Sequence, residues 1–105
     1  MRGKARNAYG YNDFARVVQL LEGTLAKCGQ GMPPEQRHAL LNELAGNRYN
    51  LGDEAGCLKT LEPLKPLALR TDTQIRVEDA PGTIDERLRN AEDARLNLRQ
   101  CSQPR

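Results

Sequence analysis

The fold is decided by the stretch AGNRYNLGDEAGCLKTL, Ala45–Leu61, which repeats the pattern of an earlier stretch, ARNAYGYNDFARVVQLL, Ala5–Leu21. At this fixed offset of forty residues, Ala, Asn, Tyr, Asp and Ala recur unchanged. Three further positions stay apolar at helical spacing, the pairs Tyr11/Leu51, Val18/Leu58 and Leu21/Leu61. Such a repeat predicts stacked helix-turn-helix hairpins, because one hairpin cannot bury its apolar face alone. It favours a binding scaffold over a catalyst.

Length and composition limit the size and the class of the fold. The chain has 105 residues, which is room for one domain. Only 38% of its residues are apolar, with no Trp and a single Phe. The core must therefore come from Leu, Ala and Val together with the tyrosines, and such a core suits thin helical layers.

The charge pattern does not predict a nucleic-acid-binding protein. Sixteen Lys and Arg against 14 Asp and Glu give a net charge of +2, whereas nucleic-acid binding needs a clustered basic face. In the arginine-rich region 85–99, acidic residues alternate with the arginines, which is typical of a solvated helix face. No run of about 18 apolar residues is present, so we expect no membrane insertion, and no apolar stretch typical of a signal peptide is visible before the repeat.

We predict an all-α fold of two stacked helix-turn-helix hairpins and a C-terminal capping helix. The predicted units are repeat one at 3–28, with helices at 3–9 and 13–27, repeat two at 34–64, with helices at 34–50 and 53–64, and the capping helix at 84–101. Helical spacing places the following residues inward: Phe14, Val17, Val18, Leu21, Leu25; Leu40, Leu41, Leu44, Ala45, Tyr49; Cys57, Leu58, Leu61, Leu64; Ile84, Leu88, Ala91, Ala94, Leu98 and Cys101. Because the first helix begins only about one turn before Asn7, we expect that upstream residues have been removed.

The connection between repeat two and the capping helix is predicted to be irregular. Pro63 and Pro66 should end or kink the preceding helix, since proline lacks the N–H donor. Residues 65–83 are predicted as a loop, and the β-branched stretch 70–83, which ends in Pro-Gly, indicates an extended conformation or a short strand. The capping helix then begins at a capping box formed by Thr83 and Glu86.

One family resemblance follows from the second copy of the repeat. The run Asn47-Arg-Tyr-Asn-Leu-Gly-Asp53, followed by Leu58, Leu61 and Leu64, resembles the end of the first helix, the turn and the second helix of a tetratricopeptide repeat. The first copy, Tyr11-Asn-Asp-Phe14, is similar around the same turn. The chain departs from the family in its period of forty residues rather than 34, in Cys57 and Val17 where alanine is usual, and in the long connection before the last helix.

The resemblance implies a groove lined by the first helix of each repeat, which binds a peptide or a protein segment. It implies that asparagines on these helices hold the backbone of an extended partner, since an amide offers a donor and an acceptor together. Asn7 and Asn47 occupy the same repeat position, Asn97 is the third candidate, and Arg48 adds charge. The alternative is that these asparagines bond the backbone of their own helices.

The cysteines allow a second inference. In an alternating stack the last helix runs antiparallel to the fourth, so Cys101 should lie beside Cys57, within the roughly 4 to 7 Å between Cα atoms that a disulfide requires. Cys28 would stay unpaired. A bond implies an oxidising compartment, exported or periplasmic. The alternative is that all three are buried small apolar residues of a cytoplasmic protein.

Catalysis is not predicted. His38 is the only histidine and Ser102 the only serine, and they are far apart in sequence. Adjacent carboxylates such as Glu92 and Asp93 point in different directions on a helix. The glycines form no phosphate-binding loop, and the cysteines lack the paired short spacings of a zinc site. We predict no enzymatic activity, no metal and no cofactor.

Two classes of function therefore stay open. One is a protein-interaction module that binds a peptide or protein segment in the groove. The other is a small inhibitor, an immunity protein or a structural subunit, possible as a homodimer, that acts through residues 70–83 or through the convex face.

Overall fold

The computed structural model describes residues 13–77 and 82–103, and all regular secondary structure within these ranges is helical. The helices are α1 (Phe14–Cys28), α2 (Pro34–Asn50), α3 (Glu54–Thr60), α4 (Lys65–Ala68), α5 (Asp72–Val77) and α6 (Ile84–Ser102), with a 3₁₀ turn at Glu62–Leu64 between α3 and α4. The predicted all-α class is confirmed. The helix predicted at 3–9 lies outside the described residues.

Two aspartates forty residues apart begin α1 and α3 in the same way. The side chain of Asp13 accepts a hydrogen bond from the Arg16 backbone N–H at 3.2 Å, and that of Asp53 accepts one from Gly56 N–H at 2.9 Å. Their backbone angles are close, with φ and ψ of −92° and 65° at Asp13 and −97° and 72° at Asp53. Each carboxylate satisfies a first-turn N–H group that has no partner in its helix.

The turn between α2 and α3 is set by Gly52, whose φ of 87° lies in the left-handed region that glycine adopts without strain. The Gly52 N–H donates to the Tyr49 carbonyl at 2.9 Å, and the Asp53 N–H donates to the Arg48 carbonyl at 2.8 Å. This pair of bonds is a Schellman motif, which satisfies the last carbonyls of α2 and reverses the chain within two residues.

The prediction of a loop at 65–83 is wrong over much of its length. The segment contains α4 and α5. The helix predicted at 53–64 ends at Thr60, where the 3₁₀ turn follows, so the helix ends before the first of the two prolines. Thr71 and Gln74 bond reciprocally: the Gln74 N–H donates to Thr71 Oγ1 at 3.1 Å, and the Thr71 N–H donates to Gln74 Oε1 at 2.8 Å. This capping box starts α5 and lets Ile75 enter the core. Residues 78–81 lie outside the described part.

The core lies between α2, α3 and α6. Its buried members are Ala45, Cys57, Leu61, Leu64, Leu67, Ala68, Ile75, Ala91, Ala94 and Cys101. Helix α2 packs against α1, α3 and α6, and α6 packs in addition against α3, α4 and α5. Most of the predicted inward residues are buried or half-buried, whereas Ile84 is exposed. In α1 only Leu21 is buried among the apolar residues.

Candidate binding groove

Helices α2 and α6 lie side by side and run in the same direction. The Asn90 side-chain amide donates to the Glu35 carbonyl at 3.1 Å, and the Asn97 amide donates to the Asn42 carbonyl at 3.1 Å. Both bonds join residues 55 positions apart. A constant offset between two helices requires a parallel arrangement, because in an antiparallel pair the sum of the two residue numbers, not their difference, would stay constant.

Three asparagines, Asn42, Asn90 and Asn97, form a row of hydrogen bonds between these two helices, called here the asparagine ladder. Asn42 donates through Nδ2 to the Asn90 carbonyl at 3.0 Å, and its Oδ1 accepts from Asn97 Nδ2 at 3.2 Å. Asn42 and Asn90 are each only 5% exposed. A buried amide without partners would cost about 1 to 3 kcal/mol, so these bonds are needed to keep both residues inside. The ladder therefore fixes the axial register of α6 against α2.

The surface between the two helices is an open groove. Its larger part is a cavity of about 300 Å³, lined by Ala39, Asn42, Glu43, Asp93, Leu96 and Asn97. A smaller cavity of about 120 Å³ continues it toward the start of both helices, lined by Glu35, Gln36, Ala39, Glu86, Arg89 and Asn90. Ala39 lines both cavities, so they adjoin at this residue, and together they are called here the α2/α6 groove.

The residues predicted to contact a partner do not form one cluster. Asn97 lines the α2/α6 groove, but its amide donates to Asn42. Asn47 donates to the Glu43 carbonyl of its own helix at 2.8 Å and does not line the groove. This is the local backbone bonding that was the alternative for these residues. Asn7 lies outside the described residues.

Arg48 is directed away from the groove, toward α1 and α3. Its guanidinium donates to Thr60 Oγ1 at 2.5 Å and to the Gly56 carbonyl at 3.5 Å, and it forms an ion pair with Glu22. The Arg48 side chain is 22% exposed. It thus joins three helices, and the structure gives it a supporting role inside the helical stack.

Sequence reasoning missed Asn42 and Asn90, although a signal for them exists. Asn90 and Asn97 are seven residues apart, and so are their acceptors Glu35 and Asn42. Residues seven apart lie on nearly the same side of a helix, and Asn90 and Asn97 directly precede the predicted inward residues Ala91 and Leu98, so they could be expected at the edge of the buried face.

The structure joins Cys57 and Cys101 by a disulfide, with Cα atoms 6.2 Å apart, and leaves Cys28 as an exposed thiol. This is the pair that the predicted alternating stack brings together. Both bonded residues are buried. The bond ties the end of α6 to the middle of α3, and it therefore holds one wall of the α2/α6 groove at its far end.

Arg95 holds α6 from another side. Its Nε donates to the Ala68 carbonyl at 2.9 Å, Nη2 to the Arg70 carbonyl at 2.6 Å, and Nη1 to the Asp72 carboxylate at 3.2 Å. A guanidinium suits this position, because it presents several donors in one plane and accepts none. Arg95 ties the short helices α4 and α5 to α6.

His38 does not line the groove. Its pKa is lowered from the ordinary value of 6.5, mainly by burial and further by the neighbouring Arg37 charge, while Glu35 acts in the opposite direction.

Within the described residues no group of three or more His, Cys, Asp or Glu side chains is placed to hold a metal ion. In residues 13–77 and 82–103, no helix combines the length and the apolar character that a membrane crossing requires.

Comparisons of the chain with protein-family models, with curated proteins and with solved structures found no match. The resemblance to tetratricopeptide repeats therefore stays a prediction that rests on the residues quoted for it.

Proposed function

We propose that this protein is a protein–protein interaction module, which binds a peptide or protein segment in the α2/α6 groove. The observation that carries the proposal is the groove itself. It is an open channel along two parallel helices, with the apolar side chains of Ala39 and Leu96 on its surface. Leu96 is 43% exposed. A concave surface that combines apolar side chains with a few placed polar groups is the kind of surface that takes up a side chain of a partner.

The proposed scaffold is a tetratricopeptide-like stack. Three features support it: the matching caps at Asp13 and Asp53, the turn at Gly52, and the parallel arrangement of α2 and α6. In such a stack the first helices of successive hairpins lie parallel, and α2 and α6 have these positions. The disulfide supports an oxidising compartment for the folded protein.

Selection from a random peptide library displayed on phage tests this function. Ala39→Arg places a long charged side chain in the middle of the groove, and arginine keeps the helix propensity of the position high. The matched control is Ala26→Arg, at an exposed alanine of α1. Peptides selected on the wild-type protein should bind Ala26→Arg normally and lose binding to Ala39→Arg. The proposal fails if selection enriches nothing, or if the enriched peptides bind both variants equally.

A second function is supported by one specific observation. Leu69, which precedes α5, and Val77, the last residue of α5, are 81% and 78% exposed, and both lie within or beside the segment 70–83. Where exposed apolar side chains join into one patch, they mark a protein contact. They favour a small inhibitor, an immunity protein or a structural subunit that acts through this segment. Sedimentation of the wild-type protein and of Leu69→Lys would reveal a homodimer made by this surface, and an unchanged monomer would exclude that form of the second function.

A further inference from the structure

We propose that the segment bound in the α2/α6 groove is basic, with lysine or arginine side chains on either side of an apolar side chain. This inference rests on the proposed function and adds the chemical class of the partner. It follows from the charges along the groove, from the absence of ion pairs at Glu43 and Asp93, and from the hydrogen bonds that occupy the asparagines.

The groove is acidic although the chain is not. Four carboxylates line it, those of Glu35, Glu43, Glu86 and Asp93, against the single guanidinium of Arg89. The whole chain has a net charge of +2. The acidic lining is thus a local property of the facing sides of α2 and α6, and a concave surface of one sign concentrates oppositely charged groups.

The two carboxylates at the wider part of the groove are unpaired. Glu43 and Asp93 are exposed, and they line the same cavity as Ala39 and Leu96. Within the part of the chain that the structure describes, neither side chain takes part in an ion pair. The ion pairs there join Glu22 to Arg48 and Asp72 to Arg95, away from this cavity. Two solvated carboxylates beside an apolar contact surface complement a cationic side chain next to an apolar one.

The asparagines of the groove hold its two helices together, and their amide donors are not free to bind a partner. The amide of Asn97 donates to Asn42, and the amide of Asn42 donates to the Asn90 carbonyl. These donors are therefore engaged before a partner arrives. A bound terminal carboxylate would meet four carboxylates against the one guanidinium of Arg89, so an acidic segment is disfavoured. The same repulsion disfavours the phosphates of a nucleic acid.

Two labelled peptides test the inference directly, identical in sequence except that one carries lysine where the other carries glutamate, around the same leucines. Binding is measured by fluorescence anisotropy at low and at physiological salt. The lysine peptide should bind the wild-type protein more tightly than the glutamate peptide, and the difference should shrink as salt screens the charges. The sequences enriched in the library selection should carry a net positive charge.

Charge-neutralising variants locate the effect. Glu43→Gln with Asp93→Asn should weaken binding of the lysine peptide roughly 2- to 30-fold, as expected for the loss of two exposed ion pairs. The control is Glu62→Gln with Glu92→Gln, which removes the same net charge at exposed sites that do not line the groove. Ellipticity at 222 nm confirms that both variants fold.

The outcomes separate this inference from the proposed function. If the selected peptides are neutral or acidic but lose binding to Ala39→Arg, the groove function stands and the basic partner is refuted. An equal loss in both double variants also refutes it, because the effect would then come from net charge alone. If sedimentation finds a dimer that Ala39→Arg dissociates, the occupant is a second copy of the chain. If no peptide binds, both proposals fail.

Discussion

Removal of the disulfide between Cys57 and Cys101 should destabilise the protein strongly. Cys57 and Cys101 are 44 residues apart in sequence. In the chain-entropy model, closing a loop of this length restricts the unfolded chain and stabilises the fold by about 4 kcal/mol. A domain of ordinary stability has only about 5 to 15 kcal/mol in total. The loss is therefore a large fraction of the free energy of unfolding.

The replacement should be Cys57→Ala with Cys101→Ala, because both positions are buried and serine would bury a hydroxyl group. Urea unfolding is followed by far-UV circular dichroism. With a slope of about 1 to 3 kcal/mol per molar urea, a loss of about 4 kcal/mol lowers the midpoint by roughly 1.3 to 4 M. Reduction of the wild-type protein by a phosphine should lower the midpoint by a similar amount. Cys28→Ala is the control and should leave it within about 0.3 M of the wild-type value, since Cys28 is exposed.

Two results would refute this reasoning. The first is a count of three reactive thiols in protein that was purified without reductant and then denatured, where the structure requires one, from Cys28. The second is a midpoint that does not change on reduction. If the alanine double variant does not fold at all, the thiol count and the reduced wild-type protein still decide the matter.

Three further predictions follow from the contacts of single residues. Asn42→Ala removes two side-chain hydrogen bonds between α2 and α6 and should lower the free energy of unfolding by about 2 kcal/mol, or roughly 10 °C in Tm by calorimetry. The control Asn47→Ala loses only a bond within α2 and should stay within about 0.5 kcal/mol of the wild-type value. Equal effects of the two changes would contradict the role of the asparagine ladder. Arg95→Met should cost about 1 to 2 kcal/mol and raise amide hydrogen exchange in α4 and α5 before α2. Because the pKa of His38 is lowered in the folded protein, the unfolded chain takes up the proton first as the pH falls. The contribution of His38 to the free energy of unfolding should therefore be complete above pH 6.5 and decline below it, and His38→Gln should lack this part of the decline in urea unfolding. Parallel pH profiles for the two proteins would contradict the lowered pKa of His38.

The sequence predicts those elements of the fold that local chemistry determines. Helices α1, α2 and α6 agree with their predicted bounds within one residue. The residue at which each helix begins is determined by a group that is visible in the sequence. These groups are a capping aspartate for α1, a proline in the first turn of α2, and the Thr83–Glu86 capping box of α6, in which both reciprocal bonds are present. Each of these groups acts within one turn of its own helix.

The sequence does not predict helix α5, because the alternation of β-branched residues in this segment favours an extended conformation. The pattern of Thr71, Thr73, Ile75 and Val77 is typical of a strand, yet a strand needs a neighbour to bond with, and the described residues offer none. The capping box of Thr71 and Gln74 was visible in the same segment. In a segment with helices on both sides, a capping box indicates the secondary structure better than the alternation of β-branched residues does.

The candidate site could be predicted only in outline, because its chemistry depends on contacts across helices. The resemblance to tetratricopeptide repeats implies a groove lined by the first helices. Which amides face that groove, and whether they are free to bind, depends on the rotation and register of α6 against α2. The sequence placed Arg48 beside a partner, but its guanidinium reaches Glu22, which is 26 residues earlier. No pattern along a single helix encodes such a contact.

The groove is held in a way that bears on how it would bind. Helix α6 is fixed to α2 by the asparagine ladder, to α3 by the disulfide, and to α4 and α5 by Arg95. These contacts lie along its length, at its end and toward the short helices, and they leave the face with Asp93 and Leu96 open. A wall fixed in this manner loses little conformational entropy when a segment binds, so more of the contact energy remains as affinity. Because the asparagine amides are committed to the wall, the selectivity of the proposed site would come mainly from its charged side chains and from the apolar residues between them. Weakening the ladder should therefore lower affinity for every peptide alike, whereas neutralising Glu43 and Asp93 should change which peptides bind.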